Sequence, residues 1–284
     1  MAKEGGMQAG LFVIIGLIFS WGLGPPPVVA ADMSLMGKLT ISVTGREQAL
    51  FEKASVKFEK LHPRVRVRFA ATDGGDPLAD LAGGSADIAV LGRTLKPEEK
   101  EWTGTTVGWE GIAIMVNASN RVQEITLKQA TDLFSGAAKT WDELGGLEAR
   151  ITVVNREEGK GVRPYLEQLL NLGGKFVNGK GVVEPDKEAI RFVSGNLNAV
   201  SYINLNLGVG NVSVGVPIRL LAINKVDPEP ANVSSGAYPL RRPIVVVTKT
   251  PPSPVVKAFV DFMLDKEGQK TVQEEDFVPL VVTK

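Results

Sequence analysis

The chain has 284 residues, 44% of them hydrophobic and 23% charged, with 32 Lys and Arg against 32 Asp and Glu. That composition is globular and excludes disordered and fibrous classes, while a net charge of +0 offers no basic excess for nucleic acid. No Cys and a single His, His62, exclude iron–sulfur centres, cysteine-based zinc sites, thiol catalysis and Ser-His-Asp hydrolysis through any other imidazole.

Residues 9–23 (AGLFVIIGLIFSWGL) form one apolar run, followed by GPPPVVAAD. A short apolar stretch ahead of small residues is the pattern of a secretory signal, with cleavage expected before Asp32 after Val29-Ala30-Ala31. The alternative is an uncleaved membrane tether. Spanning needs about 20 apolar residues, and Pro25-Pro26-Pro27 stops a helix, so residues 1–31 are expected to be a signal peptide. No Cys follows the run, which excludes a lipid-anchored form.

Lys38–Val43 alternates as a strand, and Thr44-Gly45 turns into a helix over Gln48–Leu61 with Ala49, Leu50, Phe51, Ala54, Phe58 and Leu61 on one face. His62-Pro63 ends that helix, because the residue before proline avoids the α region; His62 itself reads as structural. Val65–Phe69 is the next strand, Pro77–Ala82 a short helix and Ala86–Leu91 a continuous apolar strand. This β-α-β-α-β order predicts an α/β fold with a mostly parallel sheet. Further strands are expected at Gly111–Val116, Ile151–Val154, Ser201–Ile203, Val214–Ile218 and Leu240–Thr248. Helices are expected at Thr126–Phe134, where Thr126 and Gln129 have capping-box spacing, at Val162–Leu172, and at Pro254–Leu264 with Val255, Val256, Phe259, Val260, Met263 and Leu264 inward. The length exceeds what one core usually serves, so two lobes are expected.

Ligands of open α/β sheets bind at the carboxyl ends of strands, where loops lead into helix N-termini. Three junctions qualify: Thr44-Gly45-Arg46-Glu47; the end of the Ala86–Leu91 strand with Asp87 and the preceding Thr72-Asp73-Gly74-Gly75-Asp76 loop; and Arg156–Gly161. In the third, glycines free backbone N–H groups while Arg156 and Lys160 bring positive charge, the chemistry of an oxyanion site.

At these positions the sequence resembles the phosphate-type periplasmic solute-binding proteins that serve ABC importers. The resemblance is carried by Ser85-Ala86-Asp87-Ile88-Ala89, Arg93-Thr94-Leu95-Lys96-Pro97-Glu98-Glu99, Gly111–Asn117, Leu133-Phe134-Ser135-Gly136 with Trp141, and Val153–Gly159. It continues through Tyr238–Pro243, Phe259–Phe262 and Glu267-Gly268-Gln269. It implies a two-lobed periplasmic-binding-protein fold (type II): mixed, mostly parallel sheets flanked by helices, with two hinge crossings near Gly111–Val116 and Tyr238–Thr248. The implied lobes are 32–112 with 243–284, and 113–242. The implied function is a non-enzymatic one: an exported, periplasmic or extracellular monomer captures phosphate or a related small oxyanion between the lobes, without a cofactor, and passes it to a membrane ABC permease.

The ligand residues implied are Thr44, Gly45, Arg46, Asp87, Arg156, Lys160, Gly161 and Val162, with Asp87 as acceptor of the phosphate proton. Four of them have a plainer reading: Asp87 capping a turn, Arg156 paired with Glu157 or Glu158, Lys160 and Arg46 solvated. Glu110, Trp109 and Trp102 are placed at the cleft mouth or in the core. The family's gripping hydroxyls are replaced by Gly45-Arg46-Glu47-Gln48, Gly74-Gly75-Asp76, Leu91-Gly92 and Lys160-Gly161-Val162. Each lost hydroxyl removes about 1.5–3 kcal/mol from the roughly 12 kcal/mol that sustains nanomolar binding. Glu47 and Asp76 repel an anion as well. The expectation is altered or weakened ligand specificity, and the alternative is a ligand-poor interaction or sensory module that kept the fold. Hydrolysis of phosphate esters lacks a nucleophile–base pair and a metal cluster.

Overall fold

The computed structural model describes residues 1, 34–70, 75–177 and 186–281. The expected signal segment and Thr72, Asp73 and Gly74 lie outside them.

The chain opens with β1 (Met36–Ser42), α1 (Glu47–Leu61), β2 (Arg64–Phe69), α2 (Pro77–Gly83) and β3 (Ile88–Leu91). There follow β4 (Thr103–Asn117), β5 (Glu124–Ile125), α3 (Leu127–Ser135), β6 (Thr152–Val153), α4 (Arg163–Leu169) and α5 (Asp186–Gly195). The later elements are β7 (Ala199–Asn204), α6 (Leu205–Ser213), β8 (Ile218–Leu220), β9 (Ala222–Ile223), α7 (Pro230–Ser235), β10 (Arg241–Thr248), α8 (Pro254–Leu264) and α9 (Lys266–Glu274).

Local chemistry sets several of these ends. Thr126 and Gln129 form the expected reciprocal cap of α3, and Gly136 at φ +78 closes the helix in the left-handed region. Asp76 caps α2 by accepting from Leu78 N at 3.0 Å, ahead of Pro77 in the first turn. Ser253 and Pro254 start α8 in the same way. His62 closes α1, its ring 4.6 Å from that of Phe58.

One strand path runs β2-β1-β3-β10-β4-β7-β6, with β8 also paired to β4. Pairing is parallel for β1 with β2 and β3, and for β6 with β7; it is antiparallel wherever β4 or β10 takes part. Helices flank this mixed sheet, giving the α/β class expected.

Two large cores form on it. The first gathers Leu39, Leu50, Phe58, Val107, Ile244 and Phe259. The second gathers Ile114, Phe134, Trp141, Leu166, Tyr202 and Tyr238. The chain passes between them along β4, where Val107 belongs to the first core and Ile112 to the second, and along β10, from Leu240 to Ile244. These two strands pair over the whole crossing, from Arg241 opposite Gly111 to Thr248 opposite Thr103. A third crossing follows near the end, where Val278 bridges to Trp109 through two 2.8 Å backbone hydrogen bonds.

Some local expectations are corrected. Val214–Ile218 is not a strand: α6 runs to Ser213, Gly215 turns the chain at φ +83, and Val214 is exposed. Pairing starts only at Ile218, past Pro217, which lacks the ladder donor. In α8 the buried face uses Phe262 where Leu264 was expected; Leu264 is exposed. Ala49 faces outward on α1.

Candidate functional site

The two crossing strands carry a charged pair. Glu110 on β4 lies directly opposite Arg242, the second residue of β10, and each precedes an apolar run, Ile112–Val116 and Ile244–Val247. Arg242 Nε donates to Glu110 Oε2 at 2.8 Å, and Nη2 lies 2.6 Å from the same oxygen. On its other side Nη2 is 2.5 Å from Oε1 of Glu47, in the first turn of α1. A carboxylate there also faces the positive end of the helix. All three groups are buried.

Space for Arg242 depends on two neighbours. A Cβ added at Gly92, just past β3, would lie 1.8 Å from its Nη1. The Tyr165 ring of α4 stacks over the guanidinium, 3.4 Å from its carbon. The Tyr165 hydroxyl reaches across to the first core, where a Cβ added at Gly45 would sit 2.7 Å from it. Gly45 has φ +72, so its lack of a side chain serves both the turn and this approach.

Arg46 extends the cluster. Its Nε is 3.2 Å from Glu110 Oε1, its guanidinium stands over the Phe277 ring at 5.7 Å, and its Nη1 is 4.0 Å from Asp186 Oδ2. Asp186 begins α5, and its Oδ1 is 2.5 Å from Nη2 of Arg156. Arg156 is 1% exposed; its Nη2 also donates to the Tyr202 carbonyl at 3.0 Å. Its carbonyl in turn accepts from Arg163 Nη1 at 2.6 Å. Glu47, Arg242, Glu110, Arg46, Asp186 and Arg156 therefore form one chain of alternating charge. It ties α1 of the first core, through the crossing strands, to α5 and the β6–α4 loop of the second.

Electrostatics follow from this burial. Loss of hydration pushes the Glu47 carboxyl up; Arg242 opposes the rise and Glu110 adds to it. For Arg242 burial acts to lower the value, but Glu110 and Glu47 together outweigh it and leave the guanidinium raised. Burial, reinforced by Glu47, pushes the Tyr165 hydroxyl up to about 12. Several close contacts are ionic without being aligned hydrogen bonds: Arg46 Nε, Arg156 Nε, Arg242 Nη2, Glu47 Oε2 and Glu110 Oε1 are buried and lack a hydrogen-bond partner among the described residues. Under-satisfied polar atoms in a low-dielectric setting are costly. Arg46 Nε faces Glu110 Oε1 at 3.2 Å without the alignment of a hydrogen bond, and the buried Arg156 Nε has no hydrogen-bond partner among the described residues.

The sequence-derived residues divide between this cluster and elsewhere. Thr44, Gly45 and Arg46 lead into it, and Arg156 sits at its far end. Arg156 pairs with Asp186; Glu157 and Glu158, its expected partners under the plainer reading, are exposed. Gly161, at φ +56, leaves room for the Arg156 stem, since a Cβ there would be 3.2 Å from its Cδ. Lys160 is exposed in the turn, and the Val162 side chain points into the second core.

Asp87 is not brought to the cluster. It lies beside Thr40, ahead of β3, whereas the cluster collects past the other ends of β1 and β3. There Asp87 Oδ2 accepts from Thr40 N at 2.8 Å and its own N–H donates to Thr40 O, so it closes the β1–β3 ladder. Asp76 likewise caps α2, and of the two suspected anion-repelling residues only Glu47 is at the site. Glu110 is fully buried in the cluster rather than at a rim. Arg242, Asp186 and Tyr165 were missed. A charged residue inside a buried strand run, as in Glu110-Gly111-Ile112 and Arg242-Pro243-Ile244, was the available signal for the central pair.

Comparison with known proteins agrees with this architecture. The PBP superfamily domain model matches residues 28–267. The chain is 26% identical over 256 residues to the phosphate-binding protein PstS of Bacillus subtilis, covering 87% of this chain and 82% of that one. Among solved structures, an ABC-type phosphate transport receptor from Vibrio cholerae aligns with a TM-score of 0.77 at 24% identity, covering 85% of this chain and 99% of the receptor. A Clostridium perfringens protein crystallised with bound phosphate aligns with a TM-score of 0.63 at 26% identity, covering 86% of this chain and all of that one.

Proposed function

Because the chain belongs to the PBP superfamily, we propose that it is an exported solute-binding protein that captures phosphate or a related small oxyanion and delivers it to an ABC importer's membrane permease. The observation carrying this reading is the convergence of Arg46, Arg156 and Arg242 from both cores and the crossing strand. Guanidinium groups supply forked donors suited to tetrahedral oxyanions, and a site fed from two bodies closes on its ligand when they rotate about the crossing strands. The lobes in this reading are 32–112 with 243–284, and 113–242; the change of core between Val107 and Ile112 on β4 and between Leu240 and Ile244 on β10 supports a division near those limits, with Val278 returning to the second core. The protein acts as a monomer outside the cytoplasm, after removal of residues 1–31 or tethered through them. No helix among the described residues is long and apolar enough to cross a membrane.

Isothermal titration of the purified protein against phosphate, sulfate and small dicarboxylates tests the proposal. Heat with phosphate, abolished by Arg156→Gln, is the expected result. A folded protein that gives no heat with any of these anions overturns it.

A further inference from the structure

The three guanidinium groups already have carboxylate partners, and those partners are not equivalent. Glu110 and Glu47 have side chains 0% and 4% exposed, and both are held by Arg242. Withdrawing either leaves a bare charge in the protein interior, which is strongly disfavoured. Asp186 differs. Its side chain is 24% exposed, it stands at the start of α5, and its two oxygens address Arg156 and Arg46, the cations that reach the site from the two cores. Neither oxygen touches Arg242 among the described contacts. Asp186 can therefore swing into water without breaking the central Glu47–Arg242–Glu110 triad.

From this geometry, and resting on the oxyanion-binding reading above, we propose that the Asp186 carboxylate is a resident counter-anion. It occupies on Arg156 and Arg46 the position an incoming oxyanion needs, so capture is an exchange of one anion for another. The Nε of Arg156, buried and without a hydrogen-bond partner among the described residues, marks where a tetrahedral ligand gains a contact that a planar carboxylate leaves unmade. The exchange keeps the cluster's charge balanced: a monoanionic oxyanion replaces Asp186 one for one. Until it arrives, Asp186 bridges the two cores and holds the site shut.

The role predicts tighter binding when the carboxylate is removed, because the anion that competes for Arg156 and Arg46 is then gone. In Asp186→Asn the competitor is gone while shape is kept. Calorimetric titration with inorganic phosphate should then show at least tenfold tighter binding than wild type, equivalent to about 1.4 kcal/mol. Asp186→Ser should show the same direction and guards against failure of one variant to fold. Affinity equal to or weaker than wild type in both variants overturns the counter-anion role while leaving the oxyanion function standing. If wild type and variants bind neither phosphate nor sulfate nor a small dicarboxylate, the function reading falls, and small-angle scattering of the ligand-free proteins decides the remaining claim. A larger radius of gyration in Asp186→Asn than in wild type retains Asp186 as the closing anion; equal radii discard it.

Discussion

Replacing Arg242 by Met isolates the energetics of the central triad. The substitution keeps most of the side-chain volume but strands two carboxylates. Glu110 retains a contact with Arg46 at 3.2 Å, whereas Glu47 loses its only ion-pair partner among the described residues. Breaking a buried pair on one side costs about 3–5 kcal/mol, and loss of the stacked cation over Tyr165 adds about 0.5–2 kcal/mol. Partial burial of the new thioether offsets some of this, leaving a deficit of about 4 kcal/mol. That is a large share of the roughly 5–15 kcal/mol that holds a folded protein together. With an m-value of about 2.5 kcal/mol/M, the urea midpoint at pH 7.5 should fall by roughly 1.5 M.

The pH dependence has a definite sign. Glu47 is already raised above its ordinary value by burial, against the pull of Arg242. Without Arg242 it rises further. A carboxyl with a raised folded-state pKa binds protons more readily folded than unfolded, so its contribution is full below the ordinary value of 4.5 and is lost as pH rises through the folded value. The variant's deficit should therefore shrink at pH 5, and Arg242→Met with Glu47→Gln should regain much of the loss at pH 7.5. A midpoint shift below about 0.5 M, under a third of that expected from the same slope, or equal deficits at both pH values, refutes the triad as described.

Three further outcomes follow from the same geometry. Gly92→Ala should cost about 1–3 kcal/mol in urea unfolding, because its Cβ meets an Arg242 pinned by two carboxylates, and much less in the Arg242→Met background. Asp87→Ala should lose about 1 kcal/mol from the broken bond to Thr40 N and leave the calorimetric response to phosphate unchanged; a lost response would restore Asp87 to the site. Glu99, held by a bidentate bond from Arg93, should titrate near 2 in a carboxylate NMR pH series; its contribution is present above the ordinary 4.5 and lost as pH falls through about 2, whereas titration near 4.5 would show the Arg93 pair to be absent.

Much of the fold was legible because it rests on local pattern. Alternating apolar residues placed β1 and β2, helical spacing placed the buried face of α1, and the Thr126–Gln129 cap fixed the start of α3. Reading failed where a local signal was overridden. Apolar content around Val214 suggested a strand, but Gly215 turns the chain and Pro217 withholds a donor. Helices α5, α6, α7 and α9 went unread; α6 carries Gly208 and Gly210, α7 lies within a Pro/Gly-rich stretch, and the start of α9 is set by an Asp265 side-chain bond to Gly268 N.

Arg46 and Arg156 both enter the charged cluster because each follows a strand and precedes a helix, a relation contained in sequence order. Asp87 stands apart from the cluster for the complementary reason: it adjoins β3 at the opposite end, and which strand ends meet depends on how the strands are laid side by side. The chain alone determined an α/β fold of the binding-protein type and the supply of arginines to its strand ends. Only the tertiary structure decided that Glu47, Glu110 and Asp186, distant in sequence, meet those arginines. Ion pairing acts over a few ångströms, and only folding sets those separations.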